Sequence, residues 1–336
     1  MKTKSPDYKT ESPDYRLFSM RYRSRAATYL LAAFVLILLG YYLPRLLPGD
    51  FVTAMYSDSP VILTVEQEAE LRAQYAGKEG LGQYLLALIS LDWGFSYAFS
   101  APVSSLIFSA LPWTLFLVGG AHLIATLLGF IAGVEAAWRR GSLEKGWVGL
   151  MTFLEGAPEI ATGVLLLLVF ALHLGWFPAA GGETAYAQYG LLRWGLDVLH
   201  HTVLPFFTLL LAYLPGNFLL TRGSMVVTLK APFLKTAQAK GLPPLRVRYG
   251  HAARNALLPV MTRFTLRFAF MLTGALVVET IYSYPGLGTL LFKSIALRDL
   301  PLIQAIVLFS SLMVLTINMA MEILYRRLDP RVQDEP

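Results

Sequence analysis

The sequence predicts an all-α polytopic membrane protein, six transmembrane helices with a small external helical cap. Three observations carry this. Apolar residues make up 55% of the 336 positions and charged residues 15%, against about 45–50% and about 25% in soluble domains; mean hydropathy is +0.53. Six apolar stretches, 27–47, 112–138, 147–174, 199–221, 257–282 and 302–325, each reach the roughly 20 residues needed to cross a hydrocarbon core of about 30 Å. Lys and Arg alternate between the connections: segments 1–26, 139–146, 222–256 and 326–336 carry 20, whereas 48–111, 175–198 and 283–301 carry 5. The positive-inside rule then places both termini in the cytoplasm. No cysteine is present, which excludes disulfide frameworks, thiolate metal sites and cysteine nucleophiles. A net charge of +6 on so apolar a chain does not suggest a nucleic-acid partner.

Taken in order, residues 1–26 form a polar cytoplasmic leader that repeats Ser-Pro-Asp-Tyr at 5–8 and 12–15, a composition that predicts disorder. The first span, 27–47, exceeds the 7–15 apolar residues of a signal peptide and is read as a retained helix. In the external segment 48–111, Thr64 and Gln67 make a capping box for a helix over Val65 through Lys78. Gly77, Gly80 and Gly82 punctuate the segment, and Pro102 through Ala110 read as an interfacial lead-in. The remaining five spans occupy 112–325, with Trp113, Trp138, Trp147, Trp176, Tyr282 and Tyr325 near their ends, where amphipathic rings favour the interface. A tail, 326–336, closes the chain.

The internal segment 222–256 holds seven basic residues and no acidic one. Pro232 opens a short helix, Phe233 through Lys240, and Gly241 stops it. After Pro243 and Pro244, Leu245 through Asn255 form a second. On its own this is either a basic patch on anionic lipid headgroups or a docking element for a cytoplasmic partner.

Ionisable groups inside spans are costly and carry a functional hypothesis. Glu155 and Glu159 lie four apart on the third span, Arg263 and Arg267 four apart on the fifth. At about 1.5 Å per residue, Glu155 and Arg263 lie about 12 and 9 Å in from the same side. A two-rung Glu–Arg ladder follows, as a lock between the two spans or as path-lining groups that meet a zwitterionic substrate. Pro215-Gly216 predicts a kink or break in the fourth span, with Asn217 beside it as a path-lining candidate. Glu279, near the outer end of the fifth span, is a candidate outer gate. His200 and His201 read as interfacial, His122 and His173 as core, and no metal site is predicted.

The run KTAQAKGLPPLRVRYGHAARNALLP, residues 235–259, resembles the cytoplasmic loop of ABC-importer permeases, most closely the peptide/nickel branch of the binding-protein-dependent inner-membrane component family. Leu46-Leu47-Pro48-Gly49-Asp50, Asp92-Trp93-Gly94-Phe95-Ser96, Gly175-Trp176-Phe177-Pro178, His201-Thr202-Val203-Leu204-Pro205, Val278-Glu279-Thr280-Ile281 with Tyr284-Pro285-Gly286-Leu287-Gly288, and Leu328-Asp329-Pro330-Arg331 are similar to further family motifs in the same order. Two departures from the wider superfamily, Lys235-Thr236-Ala237 for Glu-Ala-Ala and Ala253-Arg254 for Leu-Pro, are shared by that branch. The intramembrane charges are not typical of the family.

The resemblance implies an ABC importer type-1 transmembrane fold over 112–325, in a bacterial or archaeal plasma membrane. It implies a homologous second permease subunit in a heterodimer, two cytoplasmic ABC ATPase subunits and an external solute-binding protein as partners. Lys235, Thr236, Ala237, Gln238, Ala239, Lys240, Gly241, His251 and Arg254 would form the ATPase-coupling loop. The cargo would be peptides or a related small solute. ATP and Mg would be bound by the ATPase subunits, with no cofactor in this chain. The chain would not be an enzyme: the nearest approach to a P-loop, Gly288 through Ser294, has Phe292 where a glycine is needed. The alternative is an ion-coupled secondary transporter relaying protons through Glu155 and Glu159, a class that favours repeated halves, of which none is visible here.

Overall fold

The computed structural model describes residues 15–42, 46, 64–75, 80–90, 92–96, 98–269 and 271–328. Helix α1 spans Tyr15–Tyr42. It begins inside the stretch expected to be disordered, because the residues after Pro13 are mostly helix formers and no further proline interrupts them. Most of the Ser-Pro-Asp-Tyr repeat and the tail from 329 onward lie outside the described residues. The capping box forms, with Thr64 N donating to Gln67 Oε1 at 3.1 Å and Gln67 N to Thr64 Oγ1 at 3.3 Å. It opens α2, Val65–Tyr75, and α3 is Leu81–Ser90. A two-residue hairpin follows, β1 Phe95–Ser96 against β2 Ala101–Pro102.

The second span is longer than its apolar core. Helix α4, Val103–Thr114, passes through one π-helical turn, Leu115–Gly119, into α5, Gly120–Arg139, making a continuous 37-residue crossing. The segment read as an interfacial lead-in is therefore its first turns. The third span is broken. Helix α6, Ser142–Glu155, ends at Gly156, and α7, Glu159–Leu166, starts after Pro158 and continues as a π-helical stretch to His173; the halves meet at 95°. Proline disfavours helical geometry in the residue before it, so a chain carrying Gly156, Ala157 and Pro158 in a row turns there.

The fourth span behaves oppositely. Helix α8, Leu191–Thr228, runs unbroken through both Pro205 and Pro215, so the expected break at Pro215-Gly216 is absent. It packs closely: Gly129 and Gly133 on α5 face it, and a Cβ on Gly133 would fall 2.7 Å from Thr221 Cβ. Small residues at four-residue spacing let membrane helices approach in this way.

After α8 comes the short helix α9, Pro232–Ala239. The expected second short helix is instead a π-helical segment, Arg246–Ala253, that runs directly into α10, Arg254–Ala269. Helices α11, Met271–Ile281, α12, Leu287–Ala296, and α13, Leu300–Leu328, complete the chain. Three described helical stretches cross a membrane alone by length and composition, and α6 with α7 form a fourth crossing. The apolar part of α1, Thr28–Tyr42, and the α10–α11 pair stand where the sequence expects the other two spans.

Two cores position the functional elements. One gathers Leu117, Val118, Leu204, Leu209, Val278, Tyr282 and Tyr284 toward the end that carries the hairpin, here the cap end. The other gathers Val134, Ala137, Met225, Leu234, Ala237, Val247 and Ala253 at the end that carries the 222–256 loop, here the basic end.

Candidate functional site

At the basic end, α9 is an anchored knob. Pro232 at its first turn fits the missing N–H to a position with no partner to lose, and Gly241 leaves the helix at φ +71°. Leu234 and Ala237 are buried against Val247 and Ala253. Lys235, Thr236, Gln238, Ala239, Lys240 and Gly241 remain exposed, with Phe233 beside them. Ala237 thus faces inward and holds the helix, while its neighbours face out. His251 is half-buried on the π-helical segment, its carbonyl taking the Asn255 side-chain amide, and Arg254 is exposed.

The bracing of this loop comes from residues that the sequence did not single out. Glu135, near the end of α5, accepts Arg248 Nη1 at 2.5 Å and the Tyr249 hydroxyl at 2.7 Å on one oxygen, and Arg139 Nε at 3.1 Å on the other. Arg248 also lies over the Trp138 ring. Glu144 at the start of α6 accepts Arg222 through Nε and Nη2 at 2.9 and 2.7 Å. Burial, then the bond to Glu135, pushes the Tyr249 phenol above its ordinary pKa. The basic loop contains no acid, so its carboxylates are borrowed from spans two and three, a pairing with no local sequence signal.

In the middle of the membrane the four predicted charges do come near one another, but not as a ladder. Arg263 Nη2 donates to Glu155 Oε1 at 3.1 Å, and Arg267 Nη2 stands 4.0 Å from the same oxygen. Glu159 has no hydrogen-bond or ion-pair partner among the described residues, and its Oε1 is shielded from solvent. The break before Pro158 is the reason, since Glu155 and Glu159 lie on different helices rather than on one face. Arg263 Nε is likewise buried without a partner, and Arg267 stacks over Tyr213 at 5.4 Å. The pair crosses α8 at Gly216, where an added Cβ would meet Arg263 Nη2 and Glu155 Oε1. The glycine expected to break the helix instead makes the gap through which the ion pair passes.

Asn217 is fully buried and donates through Nδ2 to Thr126 Oγ1 at 3.1 Å. It joins α8 to α5 inside the chain, away from any open face. His122 Nε2 bonds the Phe264 carbonyl, and its ring stacks on Phe264.

At the cap end Glu279, the outer-gate candidate, is fully buried. Thr114 Oγ1 donates to it at 2.6 Å, Gly288 N at 2.7 Å and Thr289 N at 3.2 Å, while Leu287 N donates to Thr114 Oγ1 at 2.8 Å. The carboxylate closes the open amides at the start of α12, a position that favours an anion. Asp299 does the same for α13: it accepts Leu302 N at 3.3 Å and also Ser96 Oγ at 2.5 Å and Ala98 N at 3.3 Å from the hairpin. His200 Nε2 bonds the Trp176 carbonyl and His201 Nδ1 the Asp197 carbonyl.

Residues 125–334 match the family described as the inner membrane component of binding-protein-dependent transport systems. The chain is similar to an oligopeptide transport system permease protein of Bacillus subtilis, 35% identical over 306 residues that cover 88% of this chain and 93% of that one. A putative peptide transport system permease protein of Brucella abortus is 35% identical over 301 residues, 89% and 94% of the two chains. A glutathione transport system permease protein of Salmonella choleraesuis is 34% identical over 295 residues, 86% and 90%.

Proposed function

The chain belongs to the binding-protein-dependent transport system inner membrane component family, and from that premise we propose how this permease subunit of an ATP-driven importer works. It is a translocation subunit, not an enzyme. It pairs with a homologous, non-identical permease to enclose a path for peptides delivered by an external solute-binding protein. The basic end lies in the cytoplasm with both termini, and two ATPase subunits that bind ATP and Mg dock there. Relatives named for oligopeptide, peptide and glutathione transport support the peptide cargo.

One observation carries the mechanism: α9 is exposed on one face and fixed on the other. Leu234 and Ala237 seat it on a core shared with α5 and α8, and Glu135 ties the following segment to α5. A push on Lys235, Thr236, Gln238 or Lys240 therefore reaches spans two and five as rigid motion, and ATP acts by binding two states unequally. His251 and Arg254 sit where the segment enters span five.

The test is uptake by the complete transporter reconstituted in vesicles with its binding protein. Labelled peptide should accumulate only with ATP enclosed on the ATPase side and the binding protein on the other, independently of ionophores, and a Walker-motif variant of the ATPase should abolish it. Glu135→Gln should lower peptide taken up per ATP hydrolysed severalfold while the complex still assembles. Uptake that follows an ion gradient without ATP would overturn the reading, as would a Lys240→Cys crosslinker that reaches no ATP-hydrolysing subunit.

A further inference from the structure

We propose that Glu159 is a cargo-binding group, the anionic contact for the free α-ammonium of a peptide as it passes the middle of the membrane. This rests on the peptide reading above and gives that path its first named contact.

The argument begins with charge balance. Two glutamates and two arginines share one level of the bundle, yet both arginines converge on Glu155 Oε1. Glu159, one residue past Pro158, acts on Arg267 and Tyr213 only through space and has one oxygen shielded and unbonded. An ionised carboxylate at membrane depth without a partner is strongly disfavoured. Among the described residues only Arg267 acts on it, through space and without a hydrogen bond, so a cation arriving from outside can make the contact this chain does not.

Exposure then indicates the direction from which it comes. The side chains of Glu155, Arg263 and Arg267 retain 33%, 27% and 35% of their surface in the isolated chain. Charged groups inside spans face a bundle interior or a water-filled cavity, not hydrocarbon. The face that bears them is therefore turned to the path enclosed with the second permease, and the 95° break between α6 and α7 presents the first turn of α7 on that level. Broken helices are where membrane transporters commonly place such contacts. A peptide passing this level offers one fixed cation whatever its side chains, its terminal ammonium, which matches the carboxylate in sign. Both arginines lie against Glu155, and neither donates a hydrogen bond to Glu159.

The experiment compares uptake of trialanine and N-acetyl-trialanine by the full reconstituted complex, each variant against wild type for each peptide, so that the binding protein's own preference divides out. Glu159→Gln should cut trialanine uptake about tenfold or more, the scale of one charge-assisted hydrogen bond, and change acetylated uptake by less than about twofold on the same scale. Glu159→Asp, which keeps the charge, should retain most trialanine uptake. Equal loss for both peptides overturns the proposal, as does no loss for either, which would mean the carboxyl is neutralised by a proton. Loss of assembly in either variant assigns Glu159 to a cation of the second permease and overturns it too. A wild-type complex that takes up neither peptide refutes the peptide reading itself, an outcome separate from all of these.

Discussion

Glu279 and Glu159 are both carboxylates within spans, and the chain treats them in opposite ways. Glu279, at the cap end, is saturated: one hydroxyl and two backbone amides donate to it, and the same hydroxyl receives a third amide. Glu159, midway along the broken span, receives no hydrogen bond among the described residues. The difference separates two uses of an expensive group. A carboxylate surrounded by donors of its own chain fixes geometry, because it is satisfied at every moment and resists movement. One left without donors cannot stabilise the fold, so its presence calls for a partner that comes and goes.

The sharpest way to break this contrast is to remove the saturated member. Glu279→Ala leaves the Gly288 and Thr289 amides and the Thr114 hydroxyl buried without an acceptor, and each buried donor left unsatisfied costs about 1–3 kcal/mol. The expected result is a complex that fails to accumulate, or a thermal midpoint in detergent lowered by many degrees. Glu159→Gln should leave that midpoint nearly unchanged. Equal thermal effects from the two would end the distinction.

A smaller effect tests the space between them. Gly216→Ala would place a methyl on the Arg263–Glu155 pair, and overpacking of this kind costs about 1–3 kcal/mol. In a Glu155→Ala background the same change should cost much less, since the crowded partner is gone. A double-mutant cycle on thermal stability reads the coupling. Additive losses would mean that Gly216 serves something other than the passage of the ion pair.

How much of this the sequence discloses depends on the range of the interaction. Hydropathy and the Lys/Arg count lay out six spans, and local grammar places the capping box at Thr64 and the start and stop of α9 at Pro232 and Gly241. Proline shows where local grammar stops. Pro158 lies at a break between two helices, while Pro205 and Pro215 sit inside one that continues through them. A glycine close by does not separate them, since Gly156 stands before Pro158 and Gly216 after Pro215; the packing does, since α8 lies tight against Gly129 and Gly133 of α5. Because the break was not legible, Glu155 and Glu159 read as one face and the arginines as their matching rungs. The seat of Glu279 was hidden for the same reason: Thr114 is 165 residues away in the chain. The brace on Glu135 spans 113 residues to Arg248. Residue type announced that these carboxylates matter, and only packing says which donors they find.

Asn217 gives the finest test, because it stands next to Gly216 and is half satisfied, its Nδ2 bonded across the seam while its Oδ1 is buried without a partner among the described residues. Its amide nitrogen bonds Thr126 across the α5–α8 seam, where the helices are already held by close backbone approach. Hydrogen bonds between membrane helices average only about 0.6 kcal/mol, with a maximum of about 1.7. Asn217→Ala should therefore lower thermal stability by a small amount and leave the uptake of trialanine and N-acetyl-trialanine in their wild-type ratio. A path-lining side chain would behave otherwise: its loss would shift that ratio with little change in stability. If Asn217→Ala moves the ratio as Glu159→Gln does, then the path runs along α8 as well as α7, and burial within one chain is not the mark of a structural role in this bundle.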